Sequence, residues 1–316
     1  MFKKTTLLFL LCLVMVTGCK SDDSNGEPVM PQALRSLLDE FLSHLETKSI
    51  KRLEIDWMEF RQTAYDLADG SEEAEDLYEV FEWALRRLDD KHSFMRTASG
   101  RFLYGNSINC TAPTAPRPLP EADLGYVRVR QFGGSFDQAV AYAADLQHQI
   151  STQDSEDLKG WIVDLRNNGG GNMWPMLAGL SSLFTRNVVG YFEDPEGNQF
   201  AWELASNQQF YQVNPVELKS PKKIAVLLDK RTASSGEATA IAFKGQANTR
   251  FFGEASCGLS TANLTINLSD GSSLFLTTSY MMSRNRERFG GPVSVDQTVQ
   301  GTGTTVQAAY TWLRAD

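Results

Sequence analysis

Ser234 lies in the run Asp229-Lys230-Arg231-Thr232-Ala233-Ser234-Ser235-Gly236-Glu237, after the apolar segment Lys223 to Leu228 and before the small-residue stretch Ala238 to Phe243. The first segment reads as a strand and the second as a helix, so the serine falls at a strand-to-helix junction. Free backbone N–H groups and the positive end of a helix dipole at such a junction can activate a nucleophile and receive a developing oxyanion. A serine there also suits a plain N-cap, and spacing alone does not separate the two.

A serine nucleophile needs a base, and the histidines are His44, His92 and His148. His44 and His148 fall within helical patterns, whereas His92 stands in Asp89-Asp90-Lys91-His92-Ser93, where a helix gives out. Neutral imidazole near pH 7 makes His92 the candidate base. A second turn, Asn167-Asn168-Gly169-Gly170-Gly171-Asn172, joins the apolar run Gly160 to Leu165 to a helical pattern through Met173, Met176, Leu177, Leu180 and Phe184. Strand, glycine turn and helix together make a nest of N–H donors. The turn has neither the Walker lysine pattern nor the G-x-G-x-x-G spacing, so nucleotide binding has little support.

The elements that must position these residues divide into two kinds. Leu34, Leu37, Leu38, Phe41 and Leu45, then Trp57, Phe60, Ala64 and Leu67, then Leu77, Val80, Phe81, Ala84, Leu85 and Leu88 recur at helical spacing. They predict an N-terminal helical bundle over 32–95. A Pro-rich connection over 96–120 follows, with Pro113, Pro116, Pro118 and Pro120. From 121 to 316 the pattern becomes α/β with a mixed sheet. Gly125 to Val129 reads as a strand, Phe136 to Ile150 as a helix, and Leu264 to Leu268 with Ser273 to Thr278 as a hairpin bending at Asp270-Gly271.

The chain has 316 residues, 42% hydrophobic and 22% charged, with a formal net charge of −9. That balance supports a substantial core, and the acidic excess without a basic block argues against a nucleic-acid partner. Its four cysteines form no C-x-x-C pair, and no metal or cofactor is implied. Lys3 and Lys4 before the apolar stretch Leu7 to Val16 form an export signal over 1–18, too short to span a bilayer. Val16-Thr17-Gly18-Cys19 resembles the cleavage box of bacterial lipoproteins, which implies a lipidated Cys19 and a flexible linker over 19–31. The expected location is the bacterial cell envelope, at the outer membrane, with the face open.

The helical bundle, Asp90-Lys91-His92-Ser93, Gly125-Tyr126-Val127, Asp164-Leu165-Arg166-Asn167-Asn168-Gly169-Gly170 and Ala233-Ser234-Ser235-Gly236-Glu237, in that order, resemble the C-terminal processing (tail-specific) serine peptidase family. The resemblance implies a ClpP/crotonase-like core, a peptide substrate, Ser234 as nucleophile and an oxyanion hole from Ser235, Gly169 and Gly170. That family's best-known branch places a catalytic lysine where Gly258 is here followed by Leu259. Leu259 cannot take a proton. The departure resembles the tricorn-core branch, whose base is a histidine after the N-terminal helices, and this implies that role for His92. The acid of that branch's relay points to Glu287 or Asp296, residues that a surface loop and a turn would equally explain.

About thirty residues separate Phe94 from Gly125, far fewer than an inserted PDZ module needs. Cys110 and Cys257, the thiols left once Cys12 is removed and Cys19 lipidated, are expected either to pair in an oxidising envelope or to stay as two buried thiols. The functional expectation is an envelope-anchored serine endopeptidase. The alternatives are a noncatalytic peptide- or ligand-binding lipoprotein on the same fold, and an esterase using the same residues.

Overall fold

The computed structural model describes residues 30–106, 108–118, 121–219 and 222–315. The export signal, Cys19 and the linker up to residue 29 lie outside the described residues. Three helices come first: α1 (Gln32–Lys48), α2 (Trp57–Leu67) and α3 (Tyr78–Leu88). Leu34, Leu37, Leu38, Phe41, Leu42 and Leu45 form the buried stripe of α1, the i, i+3, i+4 spacing of a one-faced helix. The Asp56 carboxylate caps α2 by accepting the N–H groups of Met58 and Glu59. Asp89 ends α3 in a left-handed conformation, φ 50°, which turns the chain into the His92 segment.

The remaining elements are β1 (Phe94–Arg96), β2 (Phe102–Tyr104), β3 (Leu124–Arg128), α4 (Phe136–Gln153), β4 (Gly160–Asp164), α5 (Met173–Gly179), β5 (Val188–Glu193), β6 (Gln199–Glu203), α6 (Leu204–Phe210), β7 (Lys223–Leu228), α7 (Ser235–Phe243), β8 (Thr249–Gly253), β9 (Thr261–Asn267), β10 (Ser273–Ser283), β11 (Gln297–Thr298) and α8 (Thr302–Arg314). Helix α5 is shorter than its sequence pattern predicts, and a 3-10 turn over Ser181–Leu183 continues the apolar run.

Five strands form a parallel sheet in the order β11-β8-β7-β4-β3. Parallel strands covered on both faces read as unbroken apolar runs, and β4 is buried at every position. Its alternate side chains go to opposite faces. Trp161 and Val163 join the core formed with α5 and α7, while Ile162 joins Phe252, Tyr310 and Leu313 under α8. Strands β4 and β7 are neighbours in register, Asp164 opposite Leu227. The turns that leave their carboxyl ends, Leu165 to Asn172 and Asp229 to Ser234, are therefore adjacent, which is where parallel α/β sheets place ligands.

The second sheet runs β2-β1-β10-β5-β6, with β9 also paired to β10, and all its pairings are antiparallel. The long β10 serves two cores. Leu274 and Leu276 complete the cluster under the N-terminal helices, where Phe41 and Phe81 are fully buried, and Met281 joins the main core. Truncating Phe81 to Ala is expected to cost about 3–5 kcal/mol. The β9–β10 hairpin bends at Asp270-Gly271, with Gly271 at φ 87°. No helix among the described residues is long and apolar enough to cross a membrane.

Candidate active site

Ser234 enters α7 with φ 53° and ψ −117°, a backbone conformation disfavoured for any residue with a Cβ. The surroundings hold it there. The Glu237 carboxylate accepts the Ser234 N–H at 2.8 Å, the Thr232 hydroxyl donates to the Leu165 carbonyl at 3.0 Å, and the Ala233 N–H donates to the Asn168 carbonyl at 2.9 Å. Gly170, at φ 106°, comes so near that a Cβ there would stand 2.9 Å from Ser234 Cβ. The glycine turn and the serine turn are thus packed backbone to backbone.

Asn168 ties the two turns together. Its side chain donates to the Val129 carbonyl at 3.1 Å and accepts the Gly170 N–H at 3.0 Å. The second bond changes the expected oxyanion hole. With its N–H already donated, Gly170 has nothing to offer a substrate. Gly169, Gly171 and Ser235 keep N–H groups that no acceptor takes among the described residues, and Gly169 and Gly171 line the cleft at Ser234. Below the glycine turn, Asp164 and Arg166 form a buried ion pair at 2.7 Å, and Arg166 also donates to the Thr302 carbonyl at the start of α8. This fixes the end of β4 from beneath.

His92 comes to the same cleft from the turn between α3 and β1. The Asp90 carboxylate accepts the N–H groups of His92 and Ser93, which shapes the tight turn after α3. Asn263 of β9 donates to the His92 carbonyl at 2.9 Å, and Thr277 of β10 donates its N–H to the Ser93 hydroxyl at 2.9 Å. The imidazole Nδ1 lies 2.9 Å from Thr261 Oγ1. With Nδ1–H donating to that hydroxyl, Nε2 is left as the acceptor, and no described residue bonds to it. Burial pushes the imidazole down to about 4, so it is neutral at pH 7.

Ser234 and His92 line one cleft of about 610 Å³, together with Gly169, Gly171, Leu259 and Asn263. Leu259, at the position where the family's best-known branch has a lysine, gives its backbone N–H to Glu237 at 2.8 Å. Glu237 also accepts the Gly258 N–H at 2.8 Å and the Ser256 hydroxyl at 2.5 Å, so one buried carboxylate joins the serine turn to the 256–259 loop. Burial pushes Glu237 up to about 7, against the pull of its four donors. Cys257, inside that loop, is disulfide-bonded to Cys110, with their Cα atoms 5.2 Å apart.

Glu287 and Asp296 are not brought to His92. Glu287 is exposed in the turn after β10, where its backbone closes on Ser283, and the Asp296 carboxylate accepts the Phe251 N–H at 2.7 Å. One belongs to a surface turn and the other to the pairing edge of β8. The partner of His92 that sequence reasoning missed is Thr261, a hydroxyl in a strand with no motif around it. Glu237 was visible as part of a motif, but not as the residue that bonds four groups.

Residues 123–299 match the profile of peptidase family S41. Among curated proteins, the chain is 28% identical over 266 residues to a nisin-resistance protein of Lactococcus lactis subsp. lactis, covering 82% of this chain and 80% of that protein. It is 26% identical over 171 residues to the carboxyl-terminal-processing protease of Synechocystis, covering 54% of this chain and 36% of that one. Among solved structures, a lipoprotein from Streptococcus agalactiae aligns with a TM-score of 0.75 at 24% identity, over 91% of this chain and 98% of that one. The photosystem II D1 C-terminal processing protease aligns with a TM-score of 0.60 at 16% identity, over 85% and 94%. These likenesses identify the fold, and the profile spanning more than half of the sequence places the chain in peptidase family S41.

Proposed function

We propose that this protein is a serine endopeptidase in which Ser234 is the nucleophile and His92 its base. The observation that carries the reading is the meeting of two groups in one cleft: a serine held in a strained backbone at the start of α7, and a buried neutral imidazole with Nε2 free. His92 Nε2 takes the Ser234 hydroxyl proton as Oγ bonds to the substrate carbonyl carbon, and the carbonyl electron pair moves onto oxygen. The N–H groups of Ser235 and of Gly169 or Gly171 hold that oxyanion. Collapse breaks the C–N bond, and the leaving amine takes the proton from His92. Water, giving a proton to His92, then releases the acyl group and restores Ser234.

The leader and Cys19 support export and lipid anchoring in a bacterial envelope, most simply at the outer membrane. The likeness to a nisin-resistance protein puts nisin among the first substrates to assay. Leu259 in place of a lysine favours a second reading, a noncatalytic peptide- or ligand-binding lipoprotein. Fluorophosphonate labelling of the protein, of Ser234→Ala and of His92→Ala separates the two. Labelling lost in both folded variants supports the catalytic reading, which turnover of a peptide against an ester then refines, and an unlabelled parent protein supports the binding role.

A further inference from the structure

The cleft continues past Ser234 into a second hollow of about 460 Å³, lined by Ser234 and Ser235 but not by His92. Its apolar walls are Met173, Trp174, Phe192, Phe200, Leu264 and Met281. Phe200 and Leu264 are 58% and 45% exposed, large apolar side chains left facing water at the rim of a concave site. Apolar surface gathered in a hollow beside a reactive group is the mark of a binding site.

Thr261, Ala262, Asn263, Leu264 and Thr265 of β9 all line this hollow. Successive residues of a strand point to opposite faces, so five in a row bring the hollow to the edge of β9, while Thr278 and Ser279 of β10 carry it onto the sheet face. That edge is free: among the described residues β9 pairs with β10 alone. It offers a row of N–H and C=O groups to an extended peptide, the arrangement that makes strand addition possible.

The position of His92 fixes which part of the peptide goes where. The base that takes the serine proton must deliver it to the leaving amine, so the leaving half of the substrate lies on the His92 side of Ser234. The hollow takes in Ser234 and Ser235 but not His92, so the acyl half is assigned to it. We infer that this hollow is the subsite for a large apolar side chain on the residue that supplies the scissile carbonyl, while the free edge of β9 holds the backbone of that half. The preferred substrates are then extended peptides cut after Phe, Leu, Met or Tyr. The inference deepens the peptidase reading and rests on it for the orientation.

Two measurements test it. In the first, the protein digests a peptide library and the new ends are sequenced. Large apolar residues immediately before the cut are expected, with at least a tenfold preference over Asp or Lys. Charged residues at that position, or an apolar preference only after the cut, would overturn the assignment. In the second, the Ser234→Ala protein is titrated with a dansylated pentapeptide ending in Phe and with the same peptide ending in Asp. At least tenfold tighter binding of the Phe peptide is expected, and Phe200→Asp combined with Leu264→Asp should abolish the difference. Both positions are at the rim, and circular dichroism checks that the variant is folded. Equal binding of the two peptides sinks the subsite even if cleavage is seen. Fluorophosphonate labelling of the unsubstituted protein reports on Ser234 independently, so an inactive nucleophile and a missing subsite give different results.

Discussion

His92 Nδ1 and Thr261 Oγ1 stand 2.9 Å apart, and this contact spans the junction between the N-terminal helices and the β9 strand. In the proposed catalytic pair, this hydroxyl takes the place that a carboxylate commonly has beside the histidine of serine hydrolases. It can fix the ring and its tautomer, but it brings no negative charge to stabilise an imidazolium. Thr261→Val keeps the shape and removes the acceptor, and a roughly tenfold loss of kcat/KM is expected from one lost hydrogen bond. Thr261→Ser should recover most of it. Rates for the two variants on one peptide check the role, and equal rates for Val and Ser would remove it.

The missing carboxylate has a consequence for pH. Burial alone holds His92 at about 4, so the imidazole proposed as the base stays unprotonated well into acid. The acid limb of kcat/KM is expected between pH 4 and 5, not near the ordinary histidine value of about 6.5. Stability follows the same group with a definite sign. Between pH 6.5 and about 4 the unfolded chain binds the proton and the folded one does not, so His92 makes stability fall as pH drops through that window. Glu237, raised to about 7, acts in the opposite sense: the folded state holds its proton between about 4.5 and 7, and that contribution is lost as pH rises. A pH–rate profile together with denaturant midpoints across pH 4 to 8 checks both, and an acid limb near pH 6.5 contradicts the first.

Glu237 bonds the Ser234 N–H, the Ser256 hydroxyl and the N–H groups of Gly258 and Leu259. All four are donors, so an amide in its place would turn its own N–H groups toward some of them. Above pH 7, where the carboxylate is ionised, Glu237→Gln is expected to destabilise the fold by roughly 2–4 kcal/mol and to slow fluorophosphonate labelling, because both the serine turn and the 256–259 loop lose their common anchor. Chemical denaturation and labelling rates measure the two effects. A variant as stable and as reactive as the parent protein would show that the carboxylate anchors neither.

Sequence reasoning reached the parts of this site that local pattern controls. The strand-turn-helix at Ser234, the glycine turn and the end of α3 before His92 are each set by residues within about ten positions. The pairing of His92 with Thr261 is of another kind. It depends on β10 running through both cores, so that β9 is carried across to the histidine, and no periodicity in either segment records that. Gly170 illustrates a different limit: its place in the turn was legible, but its N–H is claimed by the Asn168 side chain two residues earlier. Glu287 and Asp296 answer to the acid that the resemblance implies, whereas the histidine ring is held by the Thr261 hydroxyl.

The closeness of Gly170 to Ser234 leads to the last expectation. A methyl group at residue 170 would meet Ser234 Cβ at 2.9 Å, the Ala233 carbonyl oxygen at 3.0 Å and the Ser235 nitrogen at 3.1 Å, from a backbone with φ 106°. Two of these neighbours are backbone atoms of the serine turn itself and cannot rotate away. Gly170→Ala must therefore move the turn, and with it the Ser235 N–H that is proposed to face the oxyanion. Losing one such donor typically costs about 10²–10³ in rate, so labelling of Ser234 is expected to slow by at least roughly a hundredfold. Gly303, in the first turn of α8 with nothing near its missing Cβ, is the control. Gly303→Ala should leave labelling unchanged and, by helix propensity, stabilise the protein by up to about 1 kcal/mol. Equal labelling of the two variants would mean that the glycine turn does not constrain Ser234.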